Sequence, residues 1–108
     1  MAKPFLTLSS TLILRAVANG YRYGFDVIAI TGLPSGTVYP ALRRLEEAGF
    51  LTSNWEKESV ATAEARPPRK YYDVTRRGRE GLAGASQRFR VLELGPSVKT
   101  RTVKPSRA

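Results

Sequence analysis

Mainly α with a small β-hairpin is the fold class this sequence predicts, and two observations predict it. Three short stretches of helical periodicity, separated by Gly- and Pro-containing turns, fill the first half of the chain; two β-prone runs rich in aromatic and β-branched residues follow. The first helix is expected after Ser9 and Ser10, either of which can cap it, with Leu12, Ile13, Ala16 and Val17 as its buried face and Asn19-Gly20 as its stop. In the second, Asp26 suits the positive end of the helix dipole. Phe25, Ile28 and Ala29 are expected to point inward before Gly32 and Pro34 end it.

A third helix follows the Leu33-Pro34-Ser35-Gly36 turn. Val38, Ala41, Leu42, Leu45 and Ala48 recur at helical spacing and make one apolar stripe, leaving Thr37, Tyr39, Pro40, Arg43 and Arg44 on or beside the other face. Pro40 bears on where this helix begins, because an interior proline loses a hydrogen bond and costs about 3 kcal/mol. A start at Thr37 spares that cost, since the first-turn N–H groups have no helical partner anyway. The helix is therefore expected from Thr37, with Ser35, Gly36 and Thr37 presenting hydroxyl and backbone N–H groups to an anion. Ala48-Gly49 ends it, Gly being free to take positive φ.

Phe50 to Glu56 and Arg69 to Thr75 then read as the two strands of an antiparallel hairpin. Alternation places Leu51, Ser53 and Trp55 on one strand face, where Trp55 is expected to pack or anchor the hairpin. The connection from Lys57 to Pro68 is polar and Ala-rich and is expected to be a mobile tip. Beyond the hairpin, Leu82, Ala85, Phe89 and Leu92 lie at helical spacing; such a stripe on a C-terminal helix must be buried, against a second subunit or against its own domain. The domains expected are thus 1–75, a helix over 76–94 that is available for dimerisation, and a tail over 95–108 with four cations, no acid and two prolines, which reads as disordered.

Composition says what such a domain can bind. With 108 residues and 42% hydrophobic content, the chain supports one small domain and no deep substrate cleft. Its 18 Lys and Arg against 9 Asp and Glu leave a net charge of +9, as expected of a partner for a polyanion. Neither Cys nor His occurs, which excludes disulfides, thiolate or imidazole metal sites and every nucleophile system built on them. No cofactor is expected. No long apolar run or secretory leader is evident, so the cytoplasm is the default location. Glu46, Glu47, Glu56 and Glu58 fall on surfaces that read as exposed, and no glycine loop suited to phosphates is present, so no enzyme activity is expected.

Three helices followed by a two-stranded hairpin make a winged helix-turn-helix, in which the third helix enters the major groove of double-stranded DNA and the wing touches the flanking backbone. From Arg66 to Arg79 there are six cations and one acid, Asp73, enough charge to follow a phosphate backbone. The candidate DNA contacts are Ser35, Thr37, Tyr39, Pro40, Arg43 and Arg44 from the helix, with Arg66, Arg69 and Lys70 from the wing. Thr37, Tyr39 and Arg43 are expected nearest the bases, and Ser35, Arg44, Arg69 and Lys70 on phosphates. Each has a plainer reading: Arg43 and Arg44 as solvated charges paired with Glu46 and Glu47, and Tyr39 as the edge of the core. A winged-helix module that binds protein or RNA without operator specificity is the alternative function.

The blocks Gly24-Phe25-Asp26, Thr37-Val38-Tyr39-Pro40-Ala41-Leu42-Arg43-Arg44-Leu45-Glu46-Glu47-Ala48-Gly49-Phe50-Leu51 and Arg69-Lys70-Tyr71-Tyr72-Asp73-Val74-Thr75-Arg76-Arg77-Gly78 resemble the PadR family of transcriptional regulators, over roughly Leu6 to Leu94. That resemblance implies a homodimer binding a pseudo-palindromic operator, usually as a repressor. It also implies, for some members, release by a small aromatic or drug-like effector.

Overall fold

The computed structural model describes residues 6–89, which form α1 (Leu8–Ala18), α2 (Gly24–Thr31), α3 (Ser35–Glu47), β1 (Leu51–Trp55), α4 (Glu58–Ala63), β2 (Lys70–Val74) and α5 (Arg76–Arg88). β1 and β2 pair antiparallel, with Leu51 opposite Val74, Ser53 opposite Tyr72 and Trp55 opposite Lys70. This is the expected arrangement of three helices and a wing, with one short helix added inside the wing connection. Residues 90–94 of the expected C-terminal helix and the whole tail over 95–108 lie outside the described residues.

The core forms where α1 meets α2, α3, α5 and β2. Ile13, Leu14, Val27, Val38, Leu42 and Leu51 are its fully buried large side chains, each worth about 1.5–3 kcal/mol on leaving water. Thr7, not Ser9 or Ser10, caps α1: its Oγ1 accepts the Ser10 N–H at 3.1 Å, and the Thr11 hydroxyl donates to the Thr7 carbonyl at 2.8 Å. Ser10 thus falls in the first turn, where it is buried.

In α2 the inward stripe is displaced by one residue from expectation. Gly24 and Val27 are buried and Ile28 packs beside them, whereas Phe25 is 71% exposed and Ala29 is also exposed. A helical repeat that turns Gly24, Val27, Ile28 and Thr31 inward must turn Phe25 and Ala29 outward.

The start of α3 also differs. Pro34 is the N-cap and Ser35 the first helical residue, with the Thr37 and Val38 N–H groups both donating to the Pro34 carbonyl, at 2.9 and 3.0 Å. Pro40 is therefore inside the helix. The carbonyl that loses its partner belongs to exposed Gly36, where water can replace the bond, so the helix tolerates the proline at this position. Its end is as expected: Gly49 takes φ 85°, its N–H donates to the Glu46 carbonyl at 3.0 Å and the Phe50 N–H to the Leu45 carbonyl at 2.9 Å, the double bond of a Schellman stop.

The wing connection is built rather than loose. The Ala-rich run after Lys57 forms α4 with Ala61 buried, and α4 ends in its own Schellman turn: Arg66 N–H to Ala61 O, Ala65 N–H to Thr62 O, and Ala65 at φ 56°. The Arg66 guanidinium grips Glu56 at 2.7 and 2.8 Å and Glu64 at 2.9 Å, closing the base of the loop.

α5 follows a Thr75 cap that accepts the Gly78 N–H at 2.9 Å and donates its own hydroxyl to the Gly49 carbonyl at 2.6 Å. Its apolar stripe turns toward its own domain. Ala85 is buried, and Leu82 and Phe89 pack against the core formed with α1. Of the expected dimerisation stripe Leu82, Ala85, Phe89 and Leu92, Ala85 is buried within the monomer, Leu82 and Phe89 are partly buried there, and Leu92 lies outside the described residues. The strand-to-helix corner at Thr75 folds α5 back across α1.

Candidate nucleic-acid interface

The face that matters is set by how α3 is clamped between α2 and the hairpin. The α3 stripe of Val38, Ala41, Leu42 and Leu45 is buried, which turns the opposite side outward. There Ser35, Gly36, Tyr39, Arg43 and Arg44 are exposed, with Thr37 and Pro40 half-buried. Among the described residues neither Arg43 nor Arg44 forms an ion pair. The helical pairing with Glu46 and Glu47 that would have made them ordinary surface charges is absent.

Glu46 is spent elsewhere. Its carboxylate accepts the Ser53 hydroxyl at 2.6 Å and lies 3.7 Å from the Lys70 ammonium, which ties the wing to α3 at a fixed distance. A second tie runs from the loop between α1 and α2: Arg22 meets Asp73 through two bonds of 3.0 Å, and the Tyr72 N–H donates to the Arg22 carbonyl at 2.7 Å. A third is Arg77, whose Nε donates at 2.9 Å to the Ala48 carbonyl at the end of α3, where a cation also suits the negative end of the helix dipole.

Between α3 and the wing these ties leave an open groove of about 670 Å³. Tyr39, Arg43 and Phe25 line one side; Trp55, Arg69 and Lys70 line the other. Arg69 stacks on the Tyr23 ring at 4.3 Å, and the Lys70 ammonium lies 5.8 Å from Trp55 and 5.7 Å from Tyr72. Cations held flat on aromatic faces keep their charge while losing freedom. Burial pushes the Tyr72 hydroxyl above its ordinary value, with Glu46 adding to the shift, so that phenol stays neutral beside the cations.

The expected site residues divide accordingly. Tyr39, Arg43, Arg69 and Lys70 converge on the groove, and Ser35, Thr37 and Arg44 lie along the outer face of α3 that borders it. Arg66 also lines the groove, but both arms of its guanidinium are held by carboxylates, and its side chain is only 19% exposed. The same hydrogen bond to Arg66 holds the Glu56 carboxyl down at about 2. Arg76 and Arg79 belong to α5 rather than the wing; Arg76 pairs with Glu80 at 3.6 Å.

Trp55 corrects the expectation of a packed anchor, since it is 67% exposed. The hairpin runs outward from the core, so its inner face is buried at Leu51, half-buried at Ser53 and open by Trp55. Four aromatic residues of the groove, Tyr23, Phe25, Trp55 and Tyr72, were missing from the sequence-based site. The cluster Tyr21-Arg22-Tyr23-Gly24-Phe25, aromatic beyond the needs of a helix start, is the signal that marks two of them.

The groove beside the exposed helix is thus lined by cationic and aromatic side chains. Among the described residues, no three acidic side chains gather as a metal site would require, and no helix is long and apolar enough to cross a membrane.

The fold is that of the winged helix-turn-helix proteins. The chain belongs to the PadR-like family of transcriptional regulators, whose sequence model matches residues 13–84. Solved structures agree. A PadR family regulator from Eggerthella lenta DSM 2243 is 29% identical, with a TM-score of 0.57 and 86% of each chain covered. A Streptococcus mutans UA159 protein is 24% identical, with a TM-score of 0.66 over 96% of this chain and 100% of that one. A PadR family regulator from Clostridium difficile R20291, also 24% identical, has a TM-score of 0.66 and covers 82% of this chain and 94% of its own. No curated protein matches the chain.

Proposed function

We propose that this protein is a dimeric, sequence-specific DNA-binding regulator, acting as a repressor by occupying a pseudo-palindromic operator. Each subunit lays α3 in a major groove, with Thr37, Tyr39 and Arg43 facing base edges. Ser35, Arg44, Arg69 and Lys70 take phosphates on either side of the groove between helix and wing. The observation that carries the reading is the pair Arg43 and Arg44, exposed on α3 and without an ion pair among the described residues, on a helix whose acids are turned to the wing or away.

Arg66 has a different part in this reading. Its bonds to Glu56 and Glu64 make it a brace for the wing, and its charge is already balanced. Dimerisation uses the surface that α5 leaves open, including the exposed parts of Leu82 and Phe89.

Selection of bound fragments from random duplex DNA, followed by footprinting, tests the proposal. The expected result is a palindromic site with half-sites about 10 base pairs, or a multiple of that, apart. Uniform recovery of all sequences, or stronger retention of RNA than of duplex DNA, would contradict it.

A further inference from the structure

Gly24 is the first residue of α2, and its φ lies outside the left-handed region that favours glycine. Position one of a helix accepts almost any side chain, and alanine there would be the better helix former. Backbone conformation therefore gives no reason for glycine.

Space does. A Cβ at position 24 would stand 2.7 Å from Tyr39 Cζ and 2.9 Å from its Oη, closer than real side-chain carbons approach. The outer end of the Tyr39 ring lies on the bare backbone of Gly24, which it buries, while 47% of Tyr39 remains open to the groove. The contact is with the hydroxyl end of the ring, so it sets where that hydroxyl points.

We infer that Gly24 is a specificity-determining notch: although it lies on α2, it fixes the direction of the Tyr39 phenol on α3 and thereby one element of base recognition. The inference rests on the DNA-reading role proposed above for α3. A methyl group at position 24 forces the ring to swing outward, because the obstructing atoms belong to Tyr39 and its far side is solvent. The core residues Val27 and Val38 remain buried in their places. The swing displaces a base contact and leaves the phosphate contacts of Arg44, Arg69 and Lys70 intact, which separates this effect from ordinary destabilisation.

The test compares wild type, Gly24→Ala, Tyr39→Ala and the double variant in binding to a duplex selected by the wild-type protein from a random pool and to its scramble, with melting temperatures as a control on folding. Gly24→Ala is expected to weaken binding to the selected duplex about tenfold, the scale of one lost base-pair contact, while binding to the scramble and the melting temperature stay near wild type. In the Tyr39→Ala background, Gly24→Ala should change nothing further, since the residue it displaces is gone. Equal losses on both duplexes, no loss on either, or full additivity with Tyr39→Ala would overturn the inference.

A DNA-free measurement separates its failure from that of the regulator reading. The Gly24 Hα protons should show strong NOEs to the Tyr39 ring protons beside the hydroxyl. If those NOEs are absent in wild type, the notch itself is refuted. If they are present but wild type does not distinguish the selected duplex from its scramble, the DNA-reading role falls and takes the inference with it.

Discussion

Arg43 and Arg66 carry the same charge and line the same groove, yet their surroundings give them opposite parts. Arg43 projects from α3 with no ion pair among the described residues; Arg66 is locked between Glu56 and Glu64. Replacing Arg43 by Ala should weaken the selected site by about 1–3 kcal/mol if it makes a bidentate base contact, with a smaller loss on random DNA. Replacing Lys70 by Ala should weaken both alike. Equal losses for Arg43→Ala, measured by fluorescence anisotropy, would remove it from the base-reading set. Ala65 poses a separate question at this scale, because a non-glycine residue at φ 56° costs about 1–2 kcal/mol. Ala65→Gly should therefore raise stability to denaturant by about 1 kcal/mol, once the greater freedom of glycine in the unfolded chain is set against the relief; an unchanged or lower midpoint would show that the position is not strained. Charge and residue type made Arg43 and Lys70 readable in the sequence. The fate of Arg66 was not, since Glu56, which takes two of its bonds, becomes its neighbour only when the wing closes. Trp55 was misread because alternation along a strand says which face a residue occupies but not where the core beneath that face ends.

Among the elements, α3 and the wing were legible and the pieces between them less so. The α3 stripe and its Gly49 stop follow from local periodicity and backbone freedom, and both match the structure. The start of α3 depends on Pro34 as a cap and on an exposed Gly36 carbonyl to tolerate Pro40, features that a rule about interior prolines does not contain. α4 escaped notice because six residues are too few to show a period, and its stability comes from burying Ala61 and from the Arg66 clamp. That clamp has a pH signature. Glu56 is held at about 2 against an ordinary 4.5, so its contribution is fully present above about pH 4.5, shrinks as the unfolded chain takes up its proton, and is lost as pH falls through about 2. Thermal melts between pH 5 and 2, a range of about three units around those values, should accordingly be steeper for wild type than for Glu56→Gln. Parallel profiles would mean that the carboxylate does not brace the wing.

For the whole molecule, the sequence shows that an apolar helix must be buried but not against what. Leu82, Ala85 and Phe89 suit a second subunit as well as their own core; the Thr75 corner, joined to Gly49 by a 2.6 Å bond, brings them against the core, where Ala85 is buried and Leu82 and Phe89 are partly so. The same corner sets the wing at its angle to α3, so the element that closes the domain also shapes the groove. The net charge of +9 was legible at once, but its use depends on arrangement. Acids hold Arg22 and Arg66 in pairs that brace the wing, while Arg43 and Arg44 are exposed and form no ion pair among the described residues. The most direct test is the affinity of the wild-type protein for a selected palindromic duplex and for its scramble, each measured across a salt series. Binding at least about 10³-fold tighter to the palindrome is expected at physiological salt, with log affinity falling steeply and linearly against log salt as counterions are released. Equal affinity for both duplexes, with little dependence on salt, would contradict it.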